Sequence, residues 1–389
     1  MGNCNINEKK EDLIENNVVS VQNFQFIDAI GRGGFGKVWK VRQKKNKQFY
    51  ALKVMSKPKI IQKKSVQSVM NEKTLLIKIE IESSFLINMQ YSFQDREYLY
   101  LVMDLLSGGD LRYHIGRHRK FNEEQTKFFS GCIIVALDYL HQQGVLHRDL
   151  KPENLVFDSN GYLRLTDLGI ARIWKPENSQ DTSGTPGYMA PEVMCRHNHG
   201  VAVDYFALGV IIYECMLGRR PYLGRSRQEI REQMLAKQVV IKRQEIPPGW
   251  SLEAADFTNK LLQRKPQNRL GNNGPDEVKE HPWFRDFNWD KLITKQIIAP
   301  FIPNGNEDNY LPSDNRRDSD DSINEEQQIM LRRNSEQVDL FNGYDFDNNP
   351  VSVPSSQMVV SSTSSSRMTK QPTTTNTPRS AKLALKLKN

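Results

Sequence analysis

The sequence predicts an α+β fold, a β-rich half followed by an α-rich half with a cleft between them. Three observations carry this. Between Phe24 and about Leu106 apolar residues alternate with period 2 in short runs broken by turns, as half-buried strands do. From Gly108 to about Phe284 they recur at helical spacing instead. Of the 389 residues 38% are hydrophobic, enough for a real core, although 26% are charged and part of the chain must be polar and loosely ordered.

Residues 1–23 are polar and rich in Asn, Glu and Lys, a flexible tail. Phe24-Gln-Phe-Ile, Lys37-Val-Trp-Lys-Val-Arg and Phe49-Tyr-Ala-Leu-Lys-Val-Met then read as strands of one sheet. Val66, Val69, Met70, Lys73, Leu76 and Ile77 share one face of the single helix expected here. Tyr98-Leu-Tyr-Leu-Val-Met is a further strand. In the second half Phe121 to Gln142 reads as a long amphipathic helix, and a buried helix starts near Val203. The expected lobes are thus 24–106 and 107–284. Residues 285–346 read as an extended, irregular tail and 347–389 as a disordered, Ser/Thr-rich basic one.

Composition excludes several classes. The net charge of +8 is uneven, basic from Lys37 to Lys64 and at the C-terminal end but acidic around Asp318 to Glu326, so no uniform nucleic-acid-binding face is expected. Cys4, Cys132, Cys195 and Cys215 lack CxxC spacing, against a zinc ribbon or a disulfide framework and in favour of a reducing, cytoplasmic setting. No run of 18 apolar residues spans a membrane.

The chemistry sits in an ordered series of motifs. Gly31-Arg-Gly33-Gly-Phe-Gly36 precedes a strand rather than a helix, which excludes a dinucleotide fold and suits a glycine hairpin laid over ATP phosphates. Glycines let backbone N–H groups approach anionic oxygens. Lys53 lies among Tyr50, Ala51, Leu52, Val54 and Met55 and needs an anionic partner. Glu72 is the candidate, although an exposed glutamate on a helix face is the commoner arrangement for one such residue. His147-Arg148-Asp149-Leu-Lys151-Pro-Glu153-Asn154, then Thr166-Asp167-Leu168-Gly169 and Ala190-Pro191-Glu192, form the strongest signal. Asp149 can accept a hydroxyl proton, Asn154 and Asp167 offer the oxygen ligands Mg²⁺ requires, and Lys151 can neutralise a phosphoryl group.

With these motifs in place, residues 24–284 resemble a eukaryotic protein kinase domain, with Leu168 where the family usually has Phe. The resemblance implies a bilobal fold, ATP and Mg²⁺ as cofactors, and catalytic roles for Asp149, Lys151, Lys53 and Glu72, with Asn154 and Asp167 as metal ligands. It places adenine between Ile30, Val38, Ala51 and Val156, with Met103 as gatekeeper, Asp104 to Leu106 as hinge, and Gly31, Gly33 and Gly36 over the phosphates. Leu76, Met89, His147 and Leu168 would stack as a spine anchored by Asp204, and Arg269 would pair with buried Glu192. Asn288-Trp-Asp and Pro300-Phe-Ile-Pro are similar to the start of the AGC-group tail, and Met103-Asp-Leu-Leu-Ser-Gly-Gly-Asp-Leu-Arg-Tyr-His is most similar to the YANK branch. Lys151-Pro152 favours Ser/Thr acceptors in protein substrates. The runner-up is a pseudokinase scaffold, which typically loses Lys53, Asp149 or Asp167.

The same resemblance suggests regulation and tethering. Asp110, Glu153 and Glu214 fall where basophilic AGC kinases hold carboxylates for substrate arginines. Tyr310 resembles the tail aromatic that closes the adenine pocket. Counting back from Gly184-Thr185, the activation-loop phosphosite falls on Asp181, an anion ready to meet Arg148, with Thr182 the rival position. Phe341, Tyr344, Asp345 and Phe346 resemble a hydrophobic motif whose phosphorylation position is already acidic. Met1-Gly2-Asn3-Cys4 resembles an acylation signal, for peripheral membrane attachment of a monomer, despite Ile6 where Ser or Thr is preferred.

Overall fold

The computed structural model describes residues 19–79, 84–305, 309 and 340–348. The acylation signal, Tyr310 and the Ser/Thr-rich tail beyond Asn348 lie outside them.

The β-rich half is an antiparallel sheet of order β1-β2-β3-β5-β4-β10. Its strands are β1 (Phe24–Arg32), β2 (Gly36–Gln43), β3 (Phe49–Ser56), β4 (Met89–Gln94), β5 (Tyr98–Asp104) and β10 (Phe346–Asp347). Period-2 alternation sorts β3 between two faces. Tyr50 and Leu52 enter a cluster with Phe24, Val41, Tyr91, Phe93, Tyr100 and Val102. Met55, two residues beyond Lys53 and so on the face opposite Leu52, joins the main core with Met89, Leu99 and Leu101. Register follows: Val38 pairs with Lys53, and Ala51 with Met103. Helix α1 (Lys57–Gln62) leads into α2 (Val66–Ile79), which packs on β4.

The second half is helical, with α3 (Leu111–His118), α4 (Glu123–Gln142), α5 (Pro191–Met194), α6 (Ala202–Leu217), α7 (Arg227–Ala236), α8 (Leu252–Leu261), α9 (Pro275–Lys279) and α10 (Trp289–Ile293). Asn122 caps α4 by accepting from Gln125 N at 2.8 Å, and Gln125 Oε1 accepts from Asn122 N at 3.2 Å, a reciprocal pair that fixes where this helix starts. Helix α6 is buried on every side and ends at Gly218, whose φ of 74° a glycine adopts without strain. Short strands β6 (Val145–Leu146), β7 (Leu155–Phe157), β8 (Leu163–Leu165) and β9 (Arg172–Ile173) pair as β6–β9 and β7–β8 and frame the loops between them.

Three local expectations change. Strand β4 and helix α1 join the single helix and the strands read from periodicity; α1, at six residues, is too short for a helical period, whereas Met89-Gln-Tyr-Ser-Phe-Gln of β4 alternates with period 2 and carries a strand signal of its own. The segment after 285 is not irregular throughout, since Asn288 caps α10 through Lys291 N at 2.9 Å. Ordered pairing also passes the expected boundary at 346, with Asp347 opposite Tyr91 and Asn348 N bonded to Gln90 O at 3.1 Å.

Candidate active site

Lys53 reaches from β3 to Glu72 on α2, Nζ to Oε1 2.6 Å, and to Asp167 Oδ1 at 3.6 Å. Glu72 is therefore no exposed helix-face residue; 3% of it meets solvent. Burial alone would pull the lysine's pKa down, but the two carboxylates outweigh it and raise it, so the ammonium stays charged. Lys53 in turn holds Asp167 below the usual carboxylate range.

The loop between β6 and β7 is clamped from below by Asp204 in the first turn of α6. Its Oδ2 accepts from His147 N at 3.0 Å and its Oδ1 from Arg148 N at 2.8 Å. Arg148 and Asp167 hold φ values of 66° and 60°, costly for residues with a side chain and tolerated where surroundings over-determine them. Asp149 is thereby aimed at a small network. Its Oδ2 accepts from Lys151 Nζ at 2.6 Å, and its Oδ1 from Thr185 N at 2.9 Å and Thr185 Oγ1 at 2.7 Å. Asn154 Nδ2 donates to Asp149 O at 2.9 Å, which leaves its carbonyl oxygen for a cation. Leu76, Met89, His147 and Leu168 are all buried, the three apolar ones in one core cluster.

The residues expected around a nucleotide come together on β1, β2, β3, β5 and β7. Ala51 faces Met103 across the β3–β5 pair, Val38 pairs with Gly31, and Val156 bridges to Asp110. Ile30 lies on β1 one residue before that pair. The Leu106 backbone groups bond nothing among the described residues, whereas the Asp104 N–H is held by Asn88 O at 3.1 Å. Of the hinge residues, Leu105 and Leu106 are the two whose backbone groups carry no such bond. The glycines separate similarly. A Cβ on Gly36 would lie 1.9 Å from Val54 O, so the sheet itself demands glycine there. Gly31 and Gly33 have no protein neighbour that close, and the anion side of the hairpin is what their missing side chains leave open. Phosphate and Mg²⁺ suit this donor set: one cation (Lys53), one carboxylate (Asp167), one amide oxygen (Asn154) and an open glycine turn.

A model of the protein kinase domain matches residues 24–284. The chain belongs to the protein kinase family. Its relatives include Protein kinase 2 of Dictyostelium discoideum, 38% identical over 283 residues that cover 72% of this chain and 57% of that protein. The RAC family serine/threonine-protein kinase homolog of the same organism is 36% identical over 289 residues, 74% of this chain and 63% of it. Serine/threonine-protein kinase sgk-1 of Caenorhabditis elegans is 36% identical over 293 residues, 74% and 62%. The chain thus spans about three fifths of these relatives' own length. They place the kinase domain in the AGC group; none carries a YANK name, and that branch rests on the motifs alone.

Around the kinase domain's catalytic centre the structure also places the regulatory candidates. Arg148 Nη1 lies 3.2 Å from Asp181 Oδ2, while Thr182 offers its carbonyl to Arg227 Nη2 at 3.0 Å. Phe341 and Tyr344 are buried against the first lobe, where Lys73 of α2 donates to Gly343 O at 2.7 Å and Ser92 of β4 to Tyr344 O at 2.6 Å. Asp345 Oδ2 accepts from Gln94 Nε2 at 3.2 Å, and Phe346 pairs with Ser92. The three acids expected for substrate arginines differ. Asp110 caps α3 through Tyr113 N at 2.7 Å, and Glu153 and Glu214 both bond Arg112. Arg112 and Tyr188 were missing from the sequence-based site; the only signal was an arginine two residues past Asp110. Arg269 pairs with Glu192 through bonds of 2.6 and 2.9 Å, both side chains buried.

Proposed function

We propose that this chain is an active serine/threonine protein kinase that transfers the γ-phosphoryl group of Mg·ATP to protein hydroxyls. The observation that carries it is the Asp149 network, with Lys151 and Thr185 on one carboxylate, in a domain that also keeps the Lys53–Glu72–Asp167 triad. Asp149 takes the acceptor's proton, Lys151 meets the charge that develops on the phosphoryl oxygens, and Lys53 holds the α/β-phosphates. Asn154 and Asp167 would hold magnesium, which when bound would neutralise phosphate charge. Ile30, Val38, Ala51, Met103 and Val156 enclose the base, with the Leu106 backbone on its edge.

An Asp149→Asn variant tests this. It keeps nucleotide affinity but loses turnover on a generic Ser/Thr substrate by about 10²-fold or more. Wild type as inert as the variant, with both binding ATP, establishes a scaffold instead.

The proposal extends to regulation. Asp181 beside Arg148 stands in for an activating phosphate, and the Phe341–Phe346 motif holds α2 and hence Glu72, so the kinase has basal activity without an upstream kinase. A carboxylate carries one charge against a phosphate's roughly 1.5 to 2, so the substitution is partial. Acylation at Gly2 and Cys4 would add peripheral membrane attachment; mass spectrometry showing a free Gly2 amine removes that part. Among the described residues no helix is long and apolar enough to cross a membrane.

A further inference from the structure

An acid cluster adjoins the catalytic loop, and it is already filled. Glu153 lies two residues past Lys151, and the Tyr188 N–H donates to Thr185 O at 2.9 Å, so the cluster is one turn from the hydroxyl that bonds Asp149. Glu214 rises into it from α6. Arg112, in the first turn of α3, enters with every face of its guanidinium engaged. Nε donates to Glu153 Oε1 at 2.9 Å, Nη1 to Glu214 Oε1 at 2.8 Å, and Nη2 to Glu214 Oε2 at 3.1 Å and to the Tyr188 hydroxyl. Tyr188 Oη donates in turn to Glu214 Oε2 at 2.6 Å.

The cluster is not sealed inside the protein. Side-chain exposure falls from 42% at Glu153 through 32% at Arg112 to 7% at Glu214, a funnel with its carboxylate at the bottom and its mouth in solvent. Two carboxylates and a phenol so near a phosphoacceptor site are what an arginine of a bound peptide would seek, through a bidentate fork and its charge. The fork on Glu214 is taken by the chain's own arginine. Asp110 does not replace it, being bonded to the α3 N-terminus, and Arg220 adds a second guanidinium over the Tyr188 ring, 5.9 Å from its centroid.

We infer that Arg112 is a resident guanidinium occupying the place of a substrate arginine, so that this kinase chooses Ser/Thr substrates without regard to arginine beside the acceptor. Removing Arg112 creates an arginine-directed enzyme. The inference rests on the kinase activity proposed above and concerns only what the acid funnel selects.

The test uses the full chain and a serine peptide in which single arginines replace alanines along the five or so positions on each side of the acceptor. For wild type, kcat/KM stays within about threefold of the arginine-free parent at every position. For Arg112→Ala, at least one position gains about tenfold or more over the parent, and the gain disappears in Arg112→Ala/Glu214→Gln. Each value is a ratio within one enzyme, so partial loss of folded protein cancels. A second readout needs no turnover: the arginine peptide raises the melting temperature of Arg112→Ala more than that of wild type, because it binds the emptied funnel of the folded state. The inference is overturned if wild type already prefers arginine by about tenfold and loses that preference in Glu153→Gln. It is equally overturned if Arg112→Ala shows no gain in either ratio or melting. If wild type phosphorylates no peptide the kinase proposal fails, and melting alone decides this one.

Discussion

Replacing Asp181 by alanine removes the charge that meets Arg148, and its cost can be worked from the geometry. Two unit charges 3.2 Å apart interact by about 1.3 kcal/mol in water and about 5 kcal/mol at an effective dielectric of 20. The Asp181 side chain is 48% exposed, which draws the value toward the lower figure, whereas Arg148 is 4% exposed and loses its ion partner inside the protein. A net loss of about 1–2 kcal/mol follows, or roughly a 5- to 30-fold shift of the activation segment away from its ordered state. The ordered segment places Thr185 on Asp149, so kcat falls by up to the same factor, the full fall occurring when the ordered state is already the minor one. The assay is initial-rate phosphorylation by kinase made in bacteria and treated with phosphatase, beside Asp181→Ala and Thr182→Ala. Full activity in Asp181→Ala, with activity lost in Thr182→Ala or after phosphatase, would show that the Asp181–Arg148 pair does not order the segment and make Thr182 the phosphosite.

Arg269→Met leaves the Glu192 carboxylate buried and unpaired, a loss of about 3–5 kcal/mol; calorimetry should show melting lowered by roughly 10 °C, and a change near zero contradicts it. Burial holds the His114 and His281 imidazoles below their ordinary pKa of 6.5, so each takes up a proton more readily when the chain is unfolded. Their contribution is therefore complete above pH 6.5 and is lost as pH drops below it, by up to about 1.4 kcal/mol per pH unit for each group. Urea midpoints at neutral and mildly acid pH check this: a His114→Gln/His281→Gln variant should show a flatter dependence, and an unchanged slope rules the pair out. Tyr344→Ala empties a fully buried seat, at a cost of about 3–5 kcal/mol to tail docking, and should speed amide exchange across Phe341 to Asp347; unaltered exchange would show that the tail docks by its backbone alone.

The β-rich and helical halves, and the residues brought together between them, were legible in the chain because period and motif are local. Lys53 among apolar neighbours announced a need for an anion, which Glu72 and Asp167 supply. What was not legible depends on distance along the chain. Nothing near Glu72 distinguishes it from an exposed helix glutamate; its partner lies 19 residues away and is chosen by how α2 seats on the sheet. Arg112 reaches acids 41 and 102 residues distant, so Glu153 and Glu214 looked open from their own surroundings. Gly36 read as one of three phosphate glycines, yet the close approach of Val54 O alone requires it. Strand β10 has two residues and exists only because β4 offers it a partner.

That pairing also bears on what the edge of the sheet offers to other chains. Strand β4 would otherwise be the outermost strand of the sheet, a row of unpaired N–H and C=O groups able to template a second chain. Residues 346 to 348 cap the row from Tyr91 to Ser92 and close the Gln90 carbonyl, and Phe341 and Tyr344 plug the apolar hollow beside it. A chain cut before Leu340 would expose strand edge and hollow together, an adhesive surface on the first lobe. Light scattering of such a truncation, against the full chain, would then show self-association arising from the far end of the polypeptide rather than from any defect in the catalytic domain.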